Sequence, residues 1–382
     1  MERMPPLRVL VVNPGSSSLK LSLLGGDDAV LAASEVDRPR EDDRGGFEDF
    51  LAAHAGAFDA AAVRVVHGGS RFRRSVVVDA DVVAELEAIS DLAPLHNPPA
   101  VRALRRLLAA SAGRPVVACF DTAFHATLPD AAAVYAVPWR WTSEYGTRRY
   151  GFHGLSHAWA SRRAAVVLGR DLSELSMVTC HLGAGASLAA VRGGVSVDTT
   201  MGFTPMDGLV MATRSGSVDP GLLLWIQQRH GVSAADAERM LDRESGLLGL
   251  SGVSGDMREV LSAAARGVAR AQLAVDVYVH RLRASIAAMA ASLERLDALV
   301  FTGGVGENAA SIREQVCAGL GILGVPGGLP ESAEPAVSDA AGQSPASGED
   351  RPVSPPGSRV AVLVVRARED RQIALEVRTL LA

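Results

Sequence analysis

Cysteine is scarce. Cys119, Cys180 and Cys317 are the three thiols in 382 residues, with no C-x-x-C spacing and no histidine at ligand distance in sequence. That excludes a disulfide framework and a thiolate zinc site, and the apolar surroundings of each thiol read as burial in the reduced form. Charge of one sign is missing too: 38 basic against 43 acidic side chains leave a formal charge of −5, spread along the chain. Neither a nucleic-acid footprint nor a membrane-surface footprint is expected from that balance. No apolar run reaches the length of a membrane span, and Met1 leads into a strand pattern without a basic n-region, an apolar h-region or a small-residue cleavage site. The expectation is a soluble, cytoplasmic protein. Aromatic residues make up only 4% while 48% of the chain is hydrophobic. This length exceeds one ordinary core and suits two, so two α/β domains are expected.

What is present is a rhythm of short valine-rich runs at 9–12, 63–66, 116–119, 177–181, 298–302 and 360–365, all of strand type. Between them Leu, Val, Ile and Met recur at three- and four-residue spacing over 80–89, 99–108, 158–168 and 264–296, which predicts helices. The alternation gives a layered α/β architecture. Residues 37–46 are polar and read as a loop. Residues 326–359, dense in Pro, Gly, Ser, Ala and acids, read as a mobile surface excursion before the last strand, and no solenoid repeat is visible.

Polar clusters punctuate these runs. After the first strand come Asn13-Pro14-Gly15-Ser16-Ser17-Ser18, then Lys20 and Leu21 open a second strand. Backbone N–H groups, three hydroxyls and one ammonium within eight residues suit phosphate oxygens and the waters of a metal ion. The turn is no Walker P-loop, since it lacks the Gly-Lys-Ser/Thr ending and runs into a strand; as an isolated feature it is equally an ordinary hairpin turn. Arg64 sits inside a valine strand that ends in His67-Gly68-Gly69, and His96 stands just outside a helix begun by Pro98 or Pro99. Asp121 follows a strand, where a carboxylate can hold a metal, orient an arginine or cap a helix. His153 and His157 share helical spacing, yet the glycines beside His153 speak for close backbone approach to a ligand over a zinc pair. Gly-rich turns after strands at 181–187 and 303–308 offer backbone amides to phosphates, and Arg214 lies in a glycine-rich loop where it can reach an anion.

Nine collinear motifs carry a resemblance. They run from Asn13-Pro14-Gly15-Ser16-Ser17-Ser18-Leu19-Lys20 through Arg64-Val65-Val66-His67-Gly68-Gly69, Leu95-His96-Asn97-Pro98-Pro99 and Asp121-Thr122-Ala123-Phe124-His125. They continue through Tyr150-Gly151-Phe152-His153-Gly154-Leu155-Ser156-His157, residues 181–187, Met201-Gly202-Phe203-Thr204-Pro205, Thr213-Arg214-Ser215-Gly216 and residues 301–308. The set resembles the acetate kinases, within the superfamily of sugar kinases, heat-shock 70 chaperones and actin. The resemblance implies a two-domain actin-like (ribonuclease H-like) α/β fold, each domain a mixed five-stranded sheet flanked by helices. The implied domains are 1–125 with 370–382, and 126–369, the second carrying the nucleotide site and a homodimer interface. A hinge would close them on the nucleotide, and a last helix over 371–381 would return to the first domain.

The same resemblance implies reversible, Mg²⁺-dependent transfer of the ATP γ-phosphoryl group to acetate, giving acetyl phosphate and ADP, with Mn²⁺ as the alternative metal. By motif match the catalytic candidates are Asp121, His153, Arg214 and His96, and Arg64 falls on the acyl carboxylate with Val66, Leu95, Phe152 and Pro205 as an acyl pocket. Nucleotide contacts map to Ser16, Lys20, His181, Leu182, Gly183, Ala184, Gly185, Asp256, Met257, Arg258, Gly304, Val305, Gly306, Glu307 and Asn308, and metal contacts to Asn13 and Glu369. Metabolic coupling to a phosphotransacetylase or a phosphoketolase would follow. Three departures stand out: Val63 in place of the family's His, Ala184 in place of its Asn, and Arg366-Ala367-Arg368-Glu369-Asp370 in place of Pro-Thr-Asn/Asp-Glu-Glu. The two arginines flanking Glu369 are candidates to pair with it or to attract phosphate. The competing readings are a propionate or other short-chain acyl kinase and a non-catalytic nucleotide-binding paralogue. Butyrate kinases share the first turn, but Gly151-Phe152-His153-Gly154 with Asp121-Thr122-Ala123-Phe124-His125 favours acetate.

Overall fold

The computed structural model describes residues 6–15, 18–37, 45–330 and 349–382. The chain divides into two compact units. The first holds the described residues up to Ala126 together with Phe152–Trp159 and Arg368–Ala382; the second holds Thr127–Gly151 and the described part of Ala160–Ala367. The expected boundary assigned Phe152–Trp159 to the second domain, whereas this segment packs with the first unit.

The first unit is built on β1 (Val9–Pro14), β2 (Ser18–Leu24), β3 (Val30–Asp37), β4 (Ala60–Val65), β5 (Val76–Val77) and β6 (Val116–Phe120), in the order β3-β2-β1-β4-β6-β5. β1, β2 and β3 form an antiparallel meander, while β4 pairs parallel with β1 and with β6. The β1–β2 turn is the expected hairpin, closed by the Gly15 N–H on the Ser18 carbonyl at 2.7 Å. Side chains of successive strand residues point to opposite faces, so a run apolar at every position is covered on both sides. Leu10, Val12, Ala61 and Val63 join Leu86, Leu104 and Leu107 of the helices Ala80–Ala88 and Asn97–Ala110. Val9, Val11, Ala60 and Ala62 meet Leu155 and then Ile373, Ala374 and Val377 of the last helix, Glu369–Leu381. That helix begins two residues earlier than expected and returns to the first unit as expected.

The second unit repeats this plan with β7 (Ser176–Leu182), β8 (Ala186–Arg192), β9 (Val195–Thr199), β10 (Ala298–Thr302), β11 (Arg351–Pro352) and β12 (Ala361–Val364), in the order β11-β12-β10-β7-β8-β9. Again three antiparallel strands lead, and two parallel strands extend the sheet. Each sheet therefore has six strands where five were expected; the sixth in each case is a two-residue strand, antiparallel to its neighbour at the edge. The helix expected over 264–296 is two helices, Met257–Ala265 and Ala269–Ala291. The break falls at Gly267, whose φ of +85° is a left-handed conformation that ends helices. Of the two segments read as irregular, residues 38–44 and 331–348 lie outside the described residues, while Gly45–Ala53 is helical and residues 351–352 form β11.

No described helix is long and apolar enough to cross a membrane. All three cysteines are buried and none is in a disulfide.

Candidate active site

In the first unit the carboxyl ends of three neighbouring parallel strands bring Asn13, Arg64 and Asp121 together, and the start of the last helix adds Glu369. Strand ends are where an α/β sheet presents side chains to ligands. Arg64 donates from Nε to Asp121 Oδ1 at 2.9 Å and from Nη2 to Oδ2 at 2.7 Å, a two-bond pair with Asp121 only 1% exposed. Its Nη1 reaches Asn13 Oδ1 and Glu369 Oε2, both at 3.1 Å, and Asn13 Nδ2 donates to the same Glu369 oxygen at 2.8 Å. Burial works against the charge of this guanidinium, but the Asp121 and Glu369 carboxylates outweigh it and raise the pKa above the ordinary arginine value. Burial pushes the Asp121 carboxyl up, and the guanidinium opposes that shift. One cation between two carboxylates leaves a formal charge of −1 on the cluster.

Asp121 also organises His153. Its carbonyl accepts the Gly154 N–H at 3.0 Å, and its carboxylate accepts the His153 N–H. A Cβ on Gly154 would lie 2.0 Å from the Asp121 carbonyl oxygen, so only glycine fits there. His153 itself has φ +55°, a left-handed conformation that a histidine adopts at a cost of about 1–2 kcal/mol. The buried ring of His67 packs edge-on to Phe152, with centroids 5.3 Å apart. Asn97 fixes the His67 backbone by accepting its N–H at 3.1 Å and donating to its carbonyl at 2.9 Å. Of the acyl-pocket residues in this unit, Val66 and Phe152 are buried and Leu95 is 48% exposed. His96 is the residue that precedes the helix Asn97–Ala110, as expected. Lys20 on β2 is the register partner of Asn13 on β1, and its ammonium lies 3.8 Å from Glu35 in an exposed pair. Ser16 lies outside the described residues.

The arginines flanking Glu369 were candidates to neutralise it. Arg368 pairs with Asp370, through Nε and Nη2 at 2.9 Å each, while Arg64 and Asn13 engage Glu369.

The second unit gathers a different set. Thr302 on β10 pairs with His181 on β7, so the turn 183–185 and the segment 303–308 leave from adjacent strand ends. The segment is a short helix, Gly303–Asn308, where a Gly-rich turn was expected. The Glu307 carboxylate is taken up by backbone: Oε1 accepts the Gly303 N–H at 3.0 Å and the Ala367 N–H at 2.9 Å. Arg313, 2% exposed, donates to the Gly306 carbonyl at 2.6 Å. Asp256 caps the helix Met257–Ala265 by accepting the Arg258 N–H, and that side chain's bond from Arg258 lowers its pKa. Met257 is core, at 3% exposure. Arg214 donates from Nη1 to the Pro205 carbonyl at 2.6 Å and lies 3.8 Å from Asp242; burial lowers its pKa and Asp242 opposes that. Asn97 and Arg313 were not singled out from sequence, because their partners lie in backbone distant in sequence or in a turn whose shape the residues alone do not specify.

Asn13 and Glu369 carry oxygens of the type a hard divalent cation takes along with water and phosphate oxygens, and here Asn13 Oδ1 and Glu369 Oε2 both accept from Arg64 Nη1 at 3.1 Å. No cluster of three His, Cys, Asp or Glu suited to a metal occurs among the described residues.

The profile of the acetokinase family matches residues 49–375. An acetate kinase of a Synechococcus species is 43% identical over 420 aligned residues, covering 98% of this chain and 99% of the relative. Among solved structures, an acetate kinase from Porphyromonas gingivalis superposes with a TM-score of 0.85 at 35% identity, covering 98% of this chain and all of that one. A propionate kinase from Francisella tularensis gives 0.84 at 35% identity, covering 97% and 98%.

Removing one partner of the buried pair tests its weight. Arg64→Ala leaves the Asp121 carboxylate buried without its cation, which is expected to lower unfolding free energy by about 3–5 kcal/mol at pH 7. Burial, already the largest influence on Asp121, then acts without the guanidinium against it, and the folded carboxyl retains its proton to higher pH than in the wild type or the unfolded chain. A carboxyl raised on folding stabilises below its unfolded pKa of about 4 and loses that contribution as pH rises. The deficit against wild type should thus shrink between pH 7 and pH 4 in denaturant unfolding; an equal deficit at both would contradict the pairing.

Proposed function

The chain belongs to the acetokinase family, and from that premise we propose that it transfers the γ-phosphoryl group of ATP reversibly to acetate, giving acetyl phosphate and ADP. The observation that carries the reading is the buried cluster of Arg64, Asp121, Asn13 and Glu369 beside a strained His153. An acetate ion is already deprotonated at pH 7, so the acceptor needs no general base. The work lies in bringing two anions together and neutralising the transferring group.

Arg64 and Arg214 are the cations for the acyl carboxylate and the phosphoryl oxygens. His153 donates to the transferring group, and His96 supports it. Asp121 acts on both Arg64 and the His153 backbone, which supports a positioning role for this carboxylate. Val66, Leu95 and Phe152 are the first unit's acyl-pocket residues. One methylene is worth only about 1–3 kcal/mol in such a pocket, so propionate is a slower second substrate. The residues 181–185, 256–258 and 304–308 of the second unit take the nucleotide. Within that set, Glu307, Asp256 and Met257 act through the backbone and core contacts described above. A divalent metal, Mg²⁺ or in its place Mn²⁺, would be held by Asn13 and Glu369 and would neutralise charge on the phosphates. The enzyme works in the cytoplasm beside a phosphotransacetylase or phosphoketolase.

The helix Pro220–His230 has no buried residue, and Leu222 and Trp225, three apart on one face, are 44% and 54% exposed. An unpartnered apolar face of this kind supports a homodimer through the second unit.

Two measurements test this reading. Acyl phosphate trapped with hydroxylamine should form with Mg²⁺-ATP fastest from acetate, then propionate, then butyrate, and Arg214→Ala should cost about 10²–10³ in turnover. Product from no acid at all would remove the kinase reading. In sedimentation, the wild type should run as a dimer and Trp225→Glu as a monomer; a monomeric wild type would remove the dimer.

A further inference from the structure

His125 is buried, at 1% exposure, and has no part in the transfer described above. Its Nε2–H donates to the Phe152 carbonyl at 3.0 Å, and burial pulls its pKa down to about 4, so the ring is neutral and keeps that donor at pH 7. The titratable group packed against it is His157, with ring centroids 5.7 Å apart, and the ring of Phe124 lies at 5.5 Å.

The Phe152 carbonyl and the His153 N–H belong to one planar peptide unit. His125 holds the oxygen end and the Asp121 carboxylate holds the N–H end. The next peptide unit is held as well: the His153 carbonyl accepts the His157 N–H at 2.9 Å, and the Gly154 N–H donates to the Asp121 carbonyl at 3.0 Å. With both planes pinned at both ends, the two backbone dihedrals of His153 are determined, and with them the direction of its Cα–Cβ bond. This is how a left-handed histidine persists against its intrinsic cost.

We propose that His125 is a positioning residue for phosphoryl transfer: by holding the peptide that precedes His153, it sets the direction in which the His153 imidazole leaves the backbone. The inference rests on the kinase reading above for its effect on turnover, but its structural content stands apart from activity. Other groups pin the remaining three ends, so the effect of losing this one is a displacement and a loss of rate, with the fold retained.

The test uses two variants of the full chain. His125→Phe keeps a ring and removes the donor, and His125→Gln keeps an N–H donor. The Phe variant is expected to lose about 10- to 100-fold in kcat with KM for ATP within about twofold, the scale on which an ångström of misplacement acts. The Gln variant should recover most of that loss. Wild-type turnover in the Phe variant, or equal loss in both variants, would overturn the proposal. A second reading is independent of activity: the ring nitrogen signals of His153 in NMR should move in the Phe variant and return in the Gln variant. If the wild type makes no acyl phosphate, the kinase reading fails, and the NMR comparison alone decides His125; unmoved His153 signals would then overturn it.

Discussion

The Arg64–Asp121 pair is the interaction on which the rest of the candidate site depends. A carboxylate at 1% exposure would not remain ionised alone, since taking an ion out of water costs several kcal/mol. The guanidinium meets that cost with two parallel bonds, and its third nitrogen turns to Asn13 and Glu369. Asp121, fixed in this way, holds the backbone of His153 in a conformation it would not otherwise adopt. One buried ion pair therefore links strand ends, the last helix and the histidine.

The sheet topology makes this convergence possible. In the first unit β1, β4 and β6 are neighbouring parallel strands, and Asn13, Arg64 and Asp121 all lie at or just past their carboxyl ends. The second unit follows the same strand order, and its strands β7 and β10 likewise end in the turn 183–185 and the helix Gly303–Asn308. The plan is duplicated in structure without a repeat in sequence. What recurs is the direction of the strands and the place where polar residues end them, and neither requires the same side chains.

The central strands were legible in the sequence because strands covered on both faces are apolar at every position, as in Val9, Leu10, Val11 and Val12. The β1–β2 hairpin was legible from its turn residues. The two-residue strands β5 and β11 were not, since two residues carry no period. Gly267 divides a helical pattern that periodicity alone runs together. At the site, the motif resemblance identified Arg64, Asp121 and His153, but sequence could not say which carboxylate each arginine takes. Arg368 pairs with Asp370 two residues away, while Arg64 takes Glu369 from 305 residues away. Asn97, Arg313 and His125 act on backbone carbonyls and amides, and a backbone group carries no mark in the sequence.

A double-mutant cycle on Arg64→Ala and Asp121→Ala, read by denaturant unfolding at pH 7, tests most directly whether the pair acts as a unit. Arg64→Ala strips the buried Asp121 of its cation, whereas after Asp121→Ala the guanidinium keeps Glu369 at 3.1 Å; the double variant has no buried Asp121 and is spared the larger cost. The double variant should therefore lose less stability than the two single losses added together, by roughly 2–3 kcal/mol. Losses that add within about 0.5 kcal/mol would show the two side chains to be independent and would contradict the account.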